Sequence, residues 1–208
     1  MIISRKHNYI YFRPKKTGSS TIEQVLGCDI GPDDIIGGQK HSRFPNLKPE
    51  VIFDDLAAHT KAVEIRALVS EEFWNDSFKF ASVRHPYEKA VSLAFFKLSK
   101  RIKTGGASEK DFPKVLDNVV KHGNYSSEGI YSIGGVSVVD DFIRHETFDA
   151  DFRRVLAKIG IPAPSDFPRK KGYVRSDRRP ASEILNPEQK KTVYEICRDE
   201  FDLLGYEP

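Results

Sequence analysis

The stretch Tyr9-Ile10-Tyr11-Phe12-Arg13-Pro14-Lys15-Lys16-Thr17-Gly18-Ser19-Ser20-Thr21-Ile22 decides how the rest of the chain is read. Its first four residues are aromatic and β-branched, as in a buried strand. From Ser20 to Leu26, Ile22, Val25 and Leu26 then recur at helical spacing. The segment between is rich in lysine, glycine and hydroxyls. Gly18 permits a tight turn, the amides that follow can point at bound oxygen, Ser19, Ser20 and Thr21 add donors, and Lys15 and Lys16 add charge. The order of residues is not that of a Walker A loop, because Lys16 precedes Gly18 instead of following a second glycine. A plain capped helix is the competing reading, since Ser20-Thr21-Ile22-Glu23 has the form of a capping box.

The same grammar returns at Phe78-Lys79-Phe80-Ala81-Ser82-Val83, which passes through Arg84-His85-Pro86 into a helix bearing Ala90, Val91, Ala94 and Phe95. Pro86 suits a first helical position. Arg84 at the strand end and Ser92 on the helix could grip one phosphate from two sides. A strand is expected at Val51-Ile52-Phe53, a helix from Lys61 to Val69, a strand within Val136 to Ile143 and a helix from Phe148 to Ile159. A last helix opens at Asn186-Pro187-Glu188-Gln189 with a capping box and runs on through Cys197, Phe201 and Leu204. Alternating strands and helices predict an α/β fold with a central, mostly parallel sheet flanked by helices.

With 208 residues, 39% hydrophobic and 30% charged, the chain suits a single domain over 1–208. Cys28 and Cys197 stand far apart without ligand spacing, which argues against a disulfide framework and a zinc site. The net charge of +3 suits an anionic ligand and falls short of a general nucleic-acid binder. Neither a signal peptide nor a membrane span is evident, so a cytoplasmic protein is expected.

Taken together, Lys16-Thr17-Gly18-Ser19-Ser20-Thr21-Ile22-Glu23 and Phe80-Ala81-Ser82-Val83-Arg84-His85-Pro86-Tyr87 with Ser92 resemble the two cofactor motifs of the sulfotransferase superfamily, in its carbohydrate-type (family 2) branch. The likeness continues in His59-Thr60-Lys61-Ala62, in Val139-Asp140-Asp141-Phe142-Ile143-Arg144-His145-Glu146 and in Asp202-Leu203-Leu204-Gly205-Tyr206. It implies a three-layer P-loop-like fold and transfer of a sulfuryl group from 3′-phosphoadenosine 5′-phosphosulfate (PAPS) to a carbohydrate or small-molecule hydroxyl, with no metal and no nucleic acid. Lys15 to Thr21 would then hold the 5′-phosphosulfate, and Arg84 and Ser92 the 3′-phosphate. Lys171 and Arg175 are further candidates from a later loop. His85 stands where the family often has asparagine.

Lys16 is the candidate for stabilising charge on the leaving phosphate. His59 is the candidate general base, with a pKa expected near neutrality, and Asp33, Asp54 and Asp55 are alternatives. Two other classes compete. A small-molecule kinase would share the fold but should carry a Walker-type lysine. A nucleic-acid module could use the basic cluster of Arg169, Lys170, Lys171, Arg175, Arg178 and Arg179, which has few interleaved aromatics.

Overall fold

A hairpin opens the chain. Strand β1 (Ile2–Ser4) turns back into β2 (Tyr9–Phe12), pairing Ile2 with Tyr11 and Ser4 with Tyr9. The turn is held from a distance by Asp34. Its carboxylate accepts the Ser4 hydroxyl at 2.8 Å and the amides of Arg5 and Lys6 at 2.7 and 3.1 Å. In the computed structural model, the described residues are 1–38, 57–168 and 175–208, with the backbone alone at 52 and 53.

They divide into two compact units, Met1–Val83 with Gly129–Lys170, and Arg84–Glu128 with Lys171–Pro208. In the first unit, α1 (Ser19–Leu26), β3 (Ile35–Gly37), β4 (Ile52–Phe53), α2 (Ala62–Ala67), α3 (Glu71–Asp76) and β5 (Phe78–Val83) follow the hairpin. In the second unit, α4 (Pro86–Lys103) and α5 (Phe112–His122) come next. The first unit resumes with β6 (Ser132–Ile133), β7 (Val136–Ser137), β8 (Asp141–Arg144) and α6 (Phe148–Lys158), and α7 (Ala181–Ile184), α8 (Pro187–Ile196) and α9 (Arg198–Leu204) complete the second.

The fold is α/β, but its sheet is mixed. Six strands lie in the order β4-β3-β1-β2-β5-β8. β2, β5 and β8 are mutually parallel, as are β3 and β4, whereas β1 runs antiparallel to both of its neighbours. The expectation of a mostly parallel sheet therefore needs correction at β1. A tight hairpin between consecutive strands forces antiparallel pairing, while parallel neighbours require a crossover. Every residue of β2 is buried and only Phe78 of β5 is partly exposed, as expected of central strands covered on both faces.

The strand expected within Val136 to Ile143 is two strands. β7 closes a separate hairpin with β6, and β8 joins the main sheet. Gly134 and Gly135, at φ 58° and 80°, form the tight connection between β6 and β7, a backbone path that favours paired glycines. The last expected helix also divides, at Cys197. Its opening follows the sequence, with Asn186 Oδ1 accepting the Gln189 amide at 2.8 Å and Gln189 returning to the Asn186 amide at 2.9 Å.

Each unit has its own core. Tyr9, Tyr11 and Phe80 pack with Ile22, Ile143 and Phe152 in the first. Val91, Phe95, Leu116, Val119 and Phe201 pack together in the second. Trp74 is also buried, edge-on to Phe12. Among the described residues no helix is long and apolar enough to cross a membrane.

Candidate functional site

Because β2, β5 and β8 run parallel, their carboxyl ends share one edge of the sheet, where ligands of open α/β sheets bind. The loop leaving β2 has an unusual backbone. Lys16 has φ 64° and Gly18 has φ 86°, with Thr17 between them outside the positive region. A non-glycine residue in the left-handed region costs energy, and alternation of this kind turns successive amides toward a common point, where they favour an anion. Gly18 is also the N-cap of α1, and no side chain caps the helix start. The Thr21 amide is held by the Gly18 carbonyl at 3.0 Å, and this end of the helix attracts negative charge.

The capping-box reading of Ser20 to Glu23 is not what forms. Glu23 instead pairs with Arg13, Oε1 to Nε at 2.9 Å, and both side chains are almost fully buried. Arg13 Nε also lies 3.3 Å from the Ser19 hydroxyl. Beneath the loop runs a chain of hydroxyls. Tyr11 Oη and Ser82 Oγ are 2.8 Å apart, Ser82 Oγ and Thr17 Oγ1 are 2.7 Å apart, and Thr17 Oγ1 donates to the Pro14 carbonyl at 3.2 Å. Since the last bond uses the threonine proton, Ser82 donates to Thr17 and Tyr11 donates to Ser82. Burial raises the Tyr11 pKa, so its phenol stays protonated as that order requires.

Thr17 is fully buried, and Thr21 donates to the Pro168 carbonyl at 2.8 Å. These two hydroxyls shape the loop itself. Lys15, Lys16, Gly18 and Ser20 keep partial exposure, and Ser19 is nearly buried.

His59 is brought to the same loop. Its Nδ1 lies 2.7 Å from the Arg13 carbonyl oxygen, which can only accept, so Nδ1 carries the proton and Nε2 is left as the basic nitrogen. Burial, followed by the charges of Arg13 and Lys15, outweighs that bond and lowers the pKa to about 4. The near-neutral value expected from the sequence is thus corrected. Below pH 6.5 an unfolded chain would protonate this residue while the native one would not, so stability falls as pH drops from about 6.5 to about 4. We expect His59→Gln to lose less unfolding free energy than the parent over that window, measured by denaturant melts at stepped pH. Parallel losses in the two proteins would refute the buried neutral imidazole.

Another histidine belongs beside the loop. A Cβ built on Gly18 would lie 3.3 Å from the Phe148 ring and 3.7 Å from His145 Cδ2. His145 is exposed and follows β8, with its amide donating to the Val83 carbonyl at 2.8 Å. Sequence reasoning gave it no role. Its position just past a strand end was the available signal.

In the second unit, Arg84 and Arg175 meet on one carboxylate. Glu88 Oε2 lies 2.9 Å from Arg84 Nη2 and 2.6 Å from Arg175 Nη1, while Oε1 accepts the Ala181 amide at 2.7 Å. Burial alone would raise the Glu88 pKa, but the amide and the two guanidiniums outweigh it and hold the carboxyl below its ordinary value. Ser92, one turn beyond Glu88 on α4, is half-buried. His85 caps α4 by accepting the Tyr87 amide on Nδ1 at 3.2 Å, and its Nε2 donates to the Glu207 carbonyl at 3.0 Å. That acceptor is what an asparagine would offer at an N-cap, so the departure at His85 preserves the helix start.

No family model, curated protein or solved structure matches this chain. Lys171, Asp54 and Asp55 lie outside the described residues, as do Arg169 and Lys170. Asp33 is exposed in the turn before β3, next to Asp34, whose oxygens are engaged by the hairpin turn. Among the described residues no cluster of His, Cys, Asp and Glu could hold a metal ion.

Proposed function

We propose that the protein is a cytoplasmic, PAPS-dependent sulfotransferase with a three-layer P-loop-like arrangement, acting on a hydroxyl of a carbohydrate or related small molecule. The observation that carries this reading is the loop Lys15–Ser20, in which two left-handed residues, Lys16 and Gly18, flank Thr17 and lead into a helix start without a side-chain cap. Such a loop suits the phosphosulfate end of the donor. Arg84, with Arg175 and Ser92, would read the 3′-phosphate, exchanging the Glu88 carboxylate for an anion of greater charge.

Sulfuryl transfer would pass in line from the phosphosulfate to the acceptor oxygen. The S–O bond to the acceptor forms as the bond to the bridging oxygen breaks, and the electron pair leaves on the nucleotide phosphate. Lys16 would meet that growing charge, which is where a cation lowers a barrier instead of merely binding substrate. His59 Nε2 would take the acceptor proton. With its pKa at about 4, the imidazole is unprotonated at neutral pH but weakly basic, so the proton would pass only as the arriving sulfuryl group acidifies the acceptor oxygen.

The deciding experiment is calorimetric titration of 3′-phosphoadenosine 5′-phosphate and adenosine 5′-phosphate into the parent and into Arg84→Ala. A charge-assisted pair to phosphate contributes roughly 1.5–3 kcal/mol. Arg84→Ala should therefore weaken the 3′-phosphorylated nucleotide by about ten- to a hundredfold and leave the other nearly unchanged. Absence of any preference for the 3′-phosphate in the parent would remove the basis of the proposal.

A further inference from the structure

Helices α4 and α5 of the second unit border a cleft of about 460 Å³ that uses none of the residues assigned to transfer. That size is ordinary for a small-molecule site. From α4 come Lys97 and Arg101, one turn apart on one face, and from α5 come Lys114, Asn118 and Lys121, also at helical spacing. Buried Val115 lies among them.

Charge in this cleft is one-sided. Among the described residues, none of the four cations forms an ion pair with a carboxylate. Asp117, the acidic residue of the lining, accepts Gln189 Nε2 of α8 at 2.6 Å. Asp111 feels the charges of Arg101 and Lys114, yet its carboxylate is turned to Ser108, accepting the backbone amide at 2.8 Å and the hydroxyl at 3.1 Å. The chain as a whole carries only +3, so four cations around one hollow are a marked concentration. Like charges on neighbouring helix turns repel, and a bound anion would relieve that repulsion.

We infer that this cleft is a separate anion site, taking a small ligand that bears several phosphate groups. Lys97, Arg101, Lys114 and Lys121 carry more positive charge than one phosphate neutralises, and the Asn118 amide adds an uncharged donor. The concave form favours a compact ligand over a long polyanion. Lys100, which could have continued the basic track along α4, instead places its ammonium 4.8 Å from the Phe96 ring centroid.

Inorganic tripolyphosphate is the probe, titrated calorimetrically into the full chain at physiological ionic strength. The parent should bind it saturably, and Arg101→Gln/Lys121→Gln should bind it roughly tenfold or more weakly. Asp117→Asn, which removes the opposing charge, should bind more tightly and serves as the decisive variant should the double substitution not fold. Measured in a Lys16→Ala/Arg84→Ala background, the double substitution and Asp117→Asn should shift the affinity by the same factors as in the parent, which keeps this result separate from the fate of the sulfotransferase reading. The inference is overturned by the absence of saturable binding, or by equal affinity in the double variant or in Asp117→Asn. Tighter binding of a single-stranded oligonucleotide, abolished by the same double substitution, would overturn the small-ligand assignment in favour of nucleic acid.

Discussion

Replacing Lys16 by alanine should lower turnover by about a hundredfold or more, with little change in affinity for the desulfated nucleotide. The amides of the loop and of the α1 start remain to hold the phosphate, while the charge developing on the bridging oxygen loses its partner. Because Lys16 occupies the left-handed region at φ 64°, alanine inherits its backbone strain, and a second variant separates shape from charge. Lys16→Gly relieves that strain and should be as inactive as Lys16→Ala, though no less stable. Single-turnover sulfuryl transfer with labelled donor measures the rate. Activity restored by glycine would move the role of Lys16 from charge to backbone geometry.

The largest stability effect is expected at Lys89. It is fully buried in the second unit, where its ammonium pairs with Glu200 and donates to the Ser127 hydroxyl at 2.8 Å. Glu200 also accepts the Ser127 amide at 2.8 Å. Lys89→Ala leaves that carboxylate buried without its counterion, a loss worth about 3–5 kcal/mol in comparable pairs. In a chain of this size that corresponds to a fall in Tm of roughly 6–20 °C. Removing both charges together, as in Lys89→Met/Glu200→Leu, should recover most of the loss, because paired desolvation is then avoided. Thermal melts of the parent, the single and the double variant supply the test, and a single variant as stable as the parent contradicts the pairing. The same environment pushes the Cys197 thiol up to about 12, through burial first and then the Glu200 charge. Cys28, on the other unit, is exposed.

Several elements were legible in the chain because their signals are complete within a few residues. The aromatic and β-branched run of β2 gives a strand wherever it is buried. Gly18 permits the left-handed turn that starts α1, and Pro86 opens α4 where its missing amide costs nothing. Asn186 and Gln189 satisfy each other's backbone amides and so mark the start of α8. The loop Lys15–Ser20 stands out for the same reason, since lysines, glycine and hydroxyls sit together in one stretch.

What the tertiary structure decided involves partners that no local pattern names. Asp34 holds the β1–β2 turn from 30 residues away, which is why the antiparallel β1 left little trace in the sequence beyond a short apolar run. Glu23 satisfies the form of a capping box but finds Arg13, because a buried guanidinium binds a carboxylate more strongly than a single amide does. Arg175 reaches Glu88 across 87 residues and Lys89 reaches Glu200 across 111. His59 likewise is neutral through its own burial, with the Arg13 carbonyl fixing its tautomer, and not through its neighbours in sequence. The sequence by itself determined the strand of β2, the loop Lys15–Ser20 and the starts of α1, α4 and α8, since those features depend on dihedral freedom and on residues a few positions apart. Only the folded chain decided which charges meet, because an ion pair depends on distance and desolvation, and neither exists until the backbone has brought remote residues together.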